Sequence, residues 1–303
     1  MASGRFAPSP TGPLHVGNLR TALAAWAFAR SAGSRFFLRV EDLDRVASRP
    51  EHEATHRRDL AALGIDWDGA VVRQSERFDR YEAAFASLSA RGFTYPCYCT
   101  RREIRDAIAA PQGPAPEGAY PGTCRRLTLE ARLEHERRGR RPAWRLRAGG
   151  VSVAFNDRLH GPTEAIVDDF VLRRNDGAPA YNLAVVVDDA AQDIEEVVRG
   201  DDLLLTTPRQ IHLSHLLDLA VPSYAHVPLV LGSDGERLAK RHGAVTLAEL
   251  LVLGCPPDDV RTMLATSLGV DTGDGPISMA DVARCFDASR IPTDPWTFVP
   301  PLR

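Results

Sequence analysis

Lysine is nearly absent from this chain: of the 37 basic residues among 303, 36 are arginine and one, Lys240, is lysine. Cysteine is scarce as well. Five is an odd number, which argues against a disulfide framework and for a reducing compartment. No apolar run approaches the ~20 residues needed to cross a bilayer, and the opening MASGRFAPSP has no apolar core of a secretory signal. A net charge of −3 argues against a uniformly basic nucleic-acid binder. We therefore expect a cytoplasmic monomer with no membrane partner.

What is present is an ordinary globular composition, 44% hydrophobic and 25% charged, long enough for roughly two domains. The charge is uneven. Between Arg101 and Arg147 stand twelve arginines against six acids, a local excess of +6 that would suit a phosphate backbone or, more plainly, a solvated helical face. The opening RFAPSPTGPLHVGNLRTALAAWAFARSAG reads as strand, loop and helix, with apolar residues at helical spacing and Gly33 as the stop. RFFLRVED is a strand, and PEHEATHRRDLAALG and ERFDRYEAAFASLSARG are helices. Such alternation predicts a parallel sheet with crossover helices. From about residue 95 to 187 the pattern changes to cysteine, proline and glycine, then to antiparallel-type strands with turns at Gly149-Gly150 and Asn175-Asp176-Gly177. IEEVVRGDD, TPRQIHLSHLLDLA and HVPLVLGSDG restore the alternation, and the tail from 244 reads as helical up to its last proline-rich residues.

Two stretches suggest phosphate chemistry. In RFAPSPTGPLHVGN a polar loop leaves a strand and enters a helix, presenting free N–H groups and the positive end of a helix dipole to an anion, with His15 at the helix start. In RLAKR a lysine can set a compact ammonium on a phosphoryl oxygen, where the planar fork of arginine reaches differently. A composition that favours arginine everywhere else keeps Lys240 where arginine would not serve, or else by chance.

Taken together, HVGN and RLAKR resemble the two phosphate-handling motifs of class I aminoacyl-tRNA synthetases. The blocks RFAPSPTGPLHVGNLRTAL, RVEDLD, DDFVLRRNDGAPAYNLAVVVDD and VVRGDDLLLTTPRQ resemble the glutamyl branch in order, over residues 4 to 245. The resemblance implies an α/β, Rossmann-type catalytic domain split by an insertion: 1–95 its first half, 96–187 a zinc- and acceptor-binding insert, 188–243 its second half with the lysine loop, and 244–303 a short, mainly helical tail. It implies a glutamate site made of Arg5, Ala7, Ser9, Glu41, Tyr181 and Arg199, in which the arginines could pair with carboxylates bidentately and Glu41 could hold the ammonium. It implies an ATP site of His15, Gly17, Asn18 and Lys240, with His15 and Lys240 catalytic and Mg²⁺ on the phosphates. Asn18 stands at the second histidine of the first motif. Arg237 and Ala239 stand at the leading lysine and the serine of the second.

Cys97, Cys99 and Cys124 supply three thiolates, one short of a closed structural zinc site. From spacing, His135 or Tyr120 could complete it, or the three could be reduced cysteines without metal. The resemblance favours Tyr120, since the family form is C-x-C followed by Y-x₃-C, as in Tyr120-Pro-Gly-Thr-Cys124. Only 62 residues follow Arg241, too few for the anticodon-binding region of the long glutamyl enzymes. The resemblance therefore narrows to their short paralogue family. That family activates glutamate without tRNA and transfers it to queuosine at the wobble position of aspartate tRNA, which makes the anticodon stem-loop the expected RNA partner. A truncated glutamyl-tRNA synthetase acting on a tRNA 3′ end, and a catalytically silent tRNA-binding module, are the competing expectations. The second is at odds with the presence of Arg5, His15, Glu41 and Lys240.

Overall fold

In the computed structural model, which describes residues 3–108, 120–243, 245–273 and 275–300 (without the side chains of residues 105–108 and Lys240), the chain opens with β1 (Gly4–Phe6), α1 (Val16–Ser31), β2 (Phe36–Val40), α2 (Pro50–Ala62), β3 (Val72–Arg73) and α3 (Phe78–Ala90). The strands pair in parallel in the order β1-β2-β3. This is the alternation read from the sequence. α1 is buried on every side: Val16, Leu19, Ala22, Leu23, Ala24, Ala25 and Ala27 all lie inside. A helix apolar all round is a central one. Its alanines let β1 and β9 approach on one side and the tail helices on the other.

The chain continues with β4 (Thr94–Cys97), α4 (Arg101–Ile108), α5 (Leu129–Arg137), β5 (Ala143–Leu146), β6 (Ser152–Asp157), β7 (Gly161–Ile166), β8 (Val171–Arg173) and α6 (Tyr181–Ala191). β4, β5 and β8 form an antiparallel sheet, and β6 with β7 forms an antiparallel hairpin. The turn at 175–177 is present, with Gly177 at a positive φ of 90° and its N–H donating to the Arg174 carbonyl at 3.0 Å. Then come β9 (Glu196–Gly200), α7 (Thr207–Leu216), β10 (Ser223–Val227) and β11 (Val230–Leu231). β9 and β10 are parallel, and β6 adds to β10 in parallel with Asp157 opposite Tyr224. The hairpin from the middle of the chain therefore extends the sheet of the second half, a pairing that no local pattern announces.

The two halves meet where β1 runs beside β9; the N–H groups of Glu195 and Glu196 both donate to the Ser3 carbonyl, at 3.0 and 3.1 Å. The mainly helical tail holds α8 (Leu247–Val252), α9 (Pro257–Ser267) and α10 (Met279–Cys285), then β12 (Trp296–Thr297), which pairs in parallel with β11. Buried Arg20 of α1 ties the tail to the sheet: it donates to Ser267 Oγ at 2.9 Å, the Ser267 carbonyl at 3.1 Å and the Pro228 carbonyl at 2.8 Å. Among the described residues no helix is long and apolar enough to cross a membrane.

Candidate active site where the two sheet halves meet

From β1 the chain winds outward through α1 to β2, and from β9 it winds the other way through α7 to β10. The crevice at the C-terminal ends of β1 and β9 is thus the point at which the strand order reverses, where open α/β sheets bind their ligands. β1 delivers Arg5 to it, β9 delivers Arg199, and the loop after β2 delivers Glu41.

Arg5 is buried and donates from Nε to Asp189 at 3.2 Å and from Nη1 to the Val198 carbonyl at 3.4 Å. Its remaining hydrogens lie on Nη1 and Nη2, the fork that a carboxylate can accept bidentately. Asp189 also accepts from Arg39 at 2.8 Å. Burial would raise the Asp189 carboxyl, but the charges of Arg5 and Arg39 hold it below the usual carboxylate range. Its neighbour Asp188 accepts from Gln74 at 2.9 Å, Arg77 at 2.6 Å and Tyr81 at 2.8 Å. Such a buried network is costly to break, since a partner left alone is an uncompensated buried charge. Glu41 lies 3.5 Å from Arg39. Burial pushes its carboxyl up, against the opposing charges of Arg39 and Arg5, so an arriving ammonium would meet a carboxylate short of countercharge. Ala7 is half-buried and Ser9 exposed, either side of Pro8, whose carbonyl accepts from the Glu41 N–H at 3.0 Å.

Arg199 corrects one expectation. Nε donates to His226 Nε2 at 3.0 Å, Nη1 to Gln210 Oε1 at 2.8 Å and to the Tyr181 hydroxyl at 3.3 Å, and Nη2 to Thr207 Oγ1 at 2.8 Å. Of the five guanidinium hydrogens, one on Nη2 is left, so Arg199 cannot grip a carboxylate bidentately by itself. Tyr181, accepting from Arg199, keeps its own hydroxyl proton to give, and at 36% exposure it stands at the mouth of the crevice.

His15 caps α1. The Asn18 N–H donates to its Nδ1 at 3.3 Å, and the His15 N–H donates to Asn18 Oδ1 at 3.1 Å, a reciprocal capping box. Because Nδ1 accepts, the ring proton sits on Nε2, which has no hydrogen-bond partner among the described residues. Burial and the nearby charge of Arg237 lower the imidazole pKa, which keeps the ring neutral. A Cβ on Gly17 would stand 3.0 Å from the His15 ring, so glycine here lets the ring lie against the helix start. The Val16 N–H donates to the Val245 carbonyl at 2.8 Å, joining this end to the segment after the lysine loop. In that loop Lys240–His242 forms a single tight turn; the Lys240 side chain is outside the described part. At Ala239, where the motif has serine, the loop is held through its backbone: the Ala239 N–H donates to His242 Nδ1 at 2.8 Å, and His242 Nε2 lies 3.0 Å from Asp234. A Cβ on Gly232 would come within 2.6 Å of the His242 ring. Arg237 pairs with Asp202 at 2.7 Å rather than reaching into the crevice.

In the insert the sulfurs of Cys97, Cys99 and Cys124 lie within 4.8 Å of one another. The Tyr120 hydroxyl is 3.2 Å from Cys97 Sγ and 3.5 Å from Cys99 Sγ, so four donor atoms share one centre. Hydrogen bonds from Cys124 and Cys99 pull the Cys97 thiol down, and the same sharing with Cys124 pushes Cys99 up. A donor set of this kind fits a tetrahedral thiolate-rich metal site. His135 lies elsewhere, stacked on Tyr98 at 4.8 Å between ring centres. The basic count of this region overstates its surface. Arg145 sits buried over the Tyr120 ring at 3.6 Å, Arg147 over Tyr95, Arg137 and Arg138 pair with Glu134, and Arg140 with Glu103. Exposed Arg126 and Arg141 make no ion pair among the described residues. Between insert and crevice opens a cleft of about 280 Å³ lined by Tyr120, Arg145, Asp168, Tyr181, Asn182 and Arg209.

Sequence reasoning missed Arg39, Asp188, Asp189, His226, Gln210 and His242. The first three carried a signal, since a buried strand or apolar helix with an ionisable residue in it needs a partner inside. Residues 2–299 match the family model described as tRNA synthetases class I (E and Q), catalytic domain. A glutamyl-Q tRNA(Asp) synthetase of Nocardia farcinica is 58% identical over 97% of this chain and 92% of its own length. Another, of Symbiobacterium thermophilum, is 48% identical over 97% and 95%. The crystal structure of a glutamate tRNA ligase from Elizabethkingia meningosepticum, in complex with its amino acid, superposes with a TM-score of 0.85 at 26% identity, over 99% of this chain and 67% of that one. The chain therefore belongs to the class I tRNA synthetase (E and Q) family and, within it, to the glutamyl-Q tRNA(Asp) synthetases.

Proposed function

We propose that the chain activates L-glutamate with ATP, without tRNA, and transfers it to queuosine at the wobble position of tRNA(Asp). The observation that carries the reading is the grouping of Arg5 and Glu41 around the buried Arg39–Asp189 pair, with Arg199 holding the Tyr181 hydroxyl, in a chain with the relatives just named. A dicarboxylic amino acid needs cationic donors at both ends and an anion for its ammonium. The Arg5 fork, the pair of Arg199 Nη2 and Tyr181 hydroxyl, and Glu41 offer these, with Ala7 and Ser9 lining the approach. An oxygen of the α-carboxylate attacks the α-phosphorus of ATP, the bond to the β-phosphate oxygen breaks, and pyrophosphate leaves. His15 Nε2–H, the Gly17 N–H and Lys240 stabilise the charge that grows on the phosphoryl oxygens, with the Asn18 N–H holding the His15 ring in place through Nδ1. Mg²⁺ bound with ATP would neutralise phosphate charge. In the second step a queuosine hydroxyl oxygen attacks the acyl carbon, AMP departs and the hydroxyl proton is lost. In the full chain, glutamate-dependent exchange of labelled pyrophosphate into ATP proceeds with no RNA present. Exchange that appears only on addition of tRNA would refute tRNA-independent activation.

We also infer one structural zinc ion per chain, held by Cys97, Cys99, Tyr120 and Cys124. The metal would tie β4 to the segment around Cys124; burial and the neighbouring thiols push the Tyr120 phenol up, so its ligation would depend on polarisation by the metal. Metal analysis of Cys97→Ser should show loss of most zinc and a less stable insert, because metal binding and folding are coupled. Tyr120→Phe should weaken retention while His135→Ala keeps it; the reverse pattern would put histidine in the ligand set.

A further inference from the structure

We propose that Asp157 and His226 are positioning residues that fix which hydrogens of Arg199 face the amino acid, by holding the His226 ring in one tautomer. The inference rests on the reading of Arg199 as a glutamate-binding residue. Three neighbouring strands set the line: β6 ends at Asp157, and His226 of β10 stands in register opposite Arg199 of β9. All three side chains are buried. A guanidinium only donates, so the 3.0 Å contact from Arg199 Nε requires a lone pair on His226 Nε2. The ring proton then belongs on Nδ1, which donates to Asp157 Oδ2 at 2.6 Å. Asp157 is itself held by its other oxygen, which accepts from the N–H groups of Leu159 at 3.0 Å, His160 at 3.1 Å and His226 at 3.3 Å. The carboxylate therefore cannot turn away from the ring.

The consequence reaches the crevice. With Nε held by His226, and Gln210 and Thr207 accepting at 2.8 Å each, the planar guanidinium has one orientation. That orientation leaves one Nη2 hydrogen, while Nη1 holds the Tyr181 hydroxyl at 3.3 Å, so the Nη2 hydrogen and the Tyr181 proton are the donors this pair of residues can offer a carboxylate. A ring with its proton on Nε2 would face Arg199 donor to donor and turn the guanidinium out of this arrangement.

Asp157→Asn tests the relay in the full chain. It keeps the size of the side chain and an oxygen for the three backbone N–H groups, but sets an amide NH₂ against His226 Nδ1 and so moves the ring proton to Nε2. The expected result is a rise in KM for glutamate of about tenfold, the scale of one mispaired buried hydrogen bond, with KM for ATP within about twofold. Ring ¹⁵N shifts of His226 should report Nδ1–H in the native protein and Nε2–H in the variant. The double variant Asp157→Asn with His226→Gln, whose amide oxygen can accept from Arg199 and which has no tautomer, should recover much of the glutamate affinity. Glutamate KM unchanged while the tautomer moves would overturn the proposal. So would glutamate and ATP constants rising together with a lower Tm, and native ¹⁵N shifts that place the proton on Nε2 overturn it even if Asp157→Asn fails to fold. Absence of glutamate-dependent exchange in the native chain would instead sink the functional reading, and the shifts would still judge the relay.

Discussion

Lys240→Arg lowers glutamate-dependent pyrophosphate exchange about a hundredfold, the ~3 kcal/mol typical of one lost transition-state donor, although the charge is unchanged. The warrant begins with composition: a chain with 36 arginines keeps its one lysine at this position. It continues with the loop that presents it. Leu238 is buried, and its N–H donates to the Val230 carbonyl at 3.0 Å. The Ala239 N–H is held by His242, and His242 in turn by Asp234. These bonds hold the backbone next to Lys240, so the loop resists shifting to suit a longer, planar head group. An ammonium is a compact point charge with three rotatable donors, whereas a guanidinium presents a flat fork that suits two oxygens in one plane. A phosphoryl group whose geometry changes during attack is served better by the former. The effect should fall on kcat more than on either KM, because the interaction strengthens as charge develops. A variant within about twofold of the native rate would mean that the lysine survived by chance.

How much of this was legible in the sequence differs by kind of residue. The helix start at His15 could be read from local order, a polar loop entering a helix of apolar period, but the roles of His15 and Lys240 came from the resemblance, since a histidine at a helix start or a lone lysine also has an ordinary explanation. The strand and helix alternation of residues 4–92 was legible for the same reason, through apolar periodicity. Arg199 shows the limit. Its place in a motif suggested a carboxylate reader, but its freedom to read one depends on His226, Gln210 and Thr207. They reach it through the β9–β10 register and the start of α7, which local spacing does not give. The same holds for Asp157, whose partner lies 69 positions away. The basic stretch from 101 to 147 failed in the opposite direction. Its arginines were counted as surface, yet among the described residues Arg145 and Arg147 lie over aromatic rings and four others, Arg125, Arg137, Arg138 and Arg140, are paired with acids. Long arginine stems can cover apolar surface from within, so charge counts along a sequence overestimate what an RNA would meet.

An isolated anticodon stem-loop of tRNA(Asp) bearing queuosine accepts glutamate, and the same stem-loop with unmodified guanosine is inert. The chemistry of the acceptor sets this contrast. The cyclopentenediol of queuosine offers vicinal hydroxyls, as a terminal ribose does, whereas guanosine at that position presents no such pair on its base. The cleft of about 280 Å³ between insert and crevice suits it: Asp168 can accept from a hydroxyl, Asn182 can accept or donate, and Tyr181 forms its border with the glutamate site. Asp168 is not free to wander. It accepts from Arg209 at 2.6 Å and from the Tyr120 N–H at 3.0 Å, which ties the wall of the cleft to the thiol cluster. Exposed Arg126 and Arg141 on the insert can meet the phosphates of the stem. Since many of the described arginines of this stretch are paired or lie over rings, affinity should fall with salt at a modest slope rather than a steep one, while the loss on removing the diol should be nearly complete at any salt. That separation identifies the diol, and not the charge, as what makes the RNA a substrate. Transfer to the 3′ end of tRNA(Glu), with none to the queuosine stem-loop, would reverse the assignment and make the chain a glutamyl-tRNA synthetase that reads an acceptor stem.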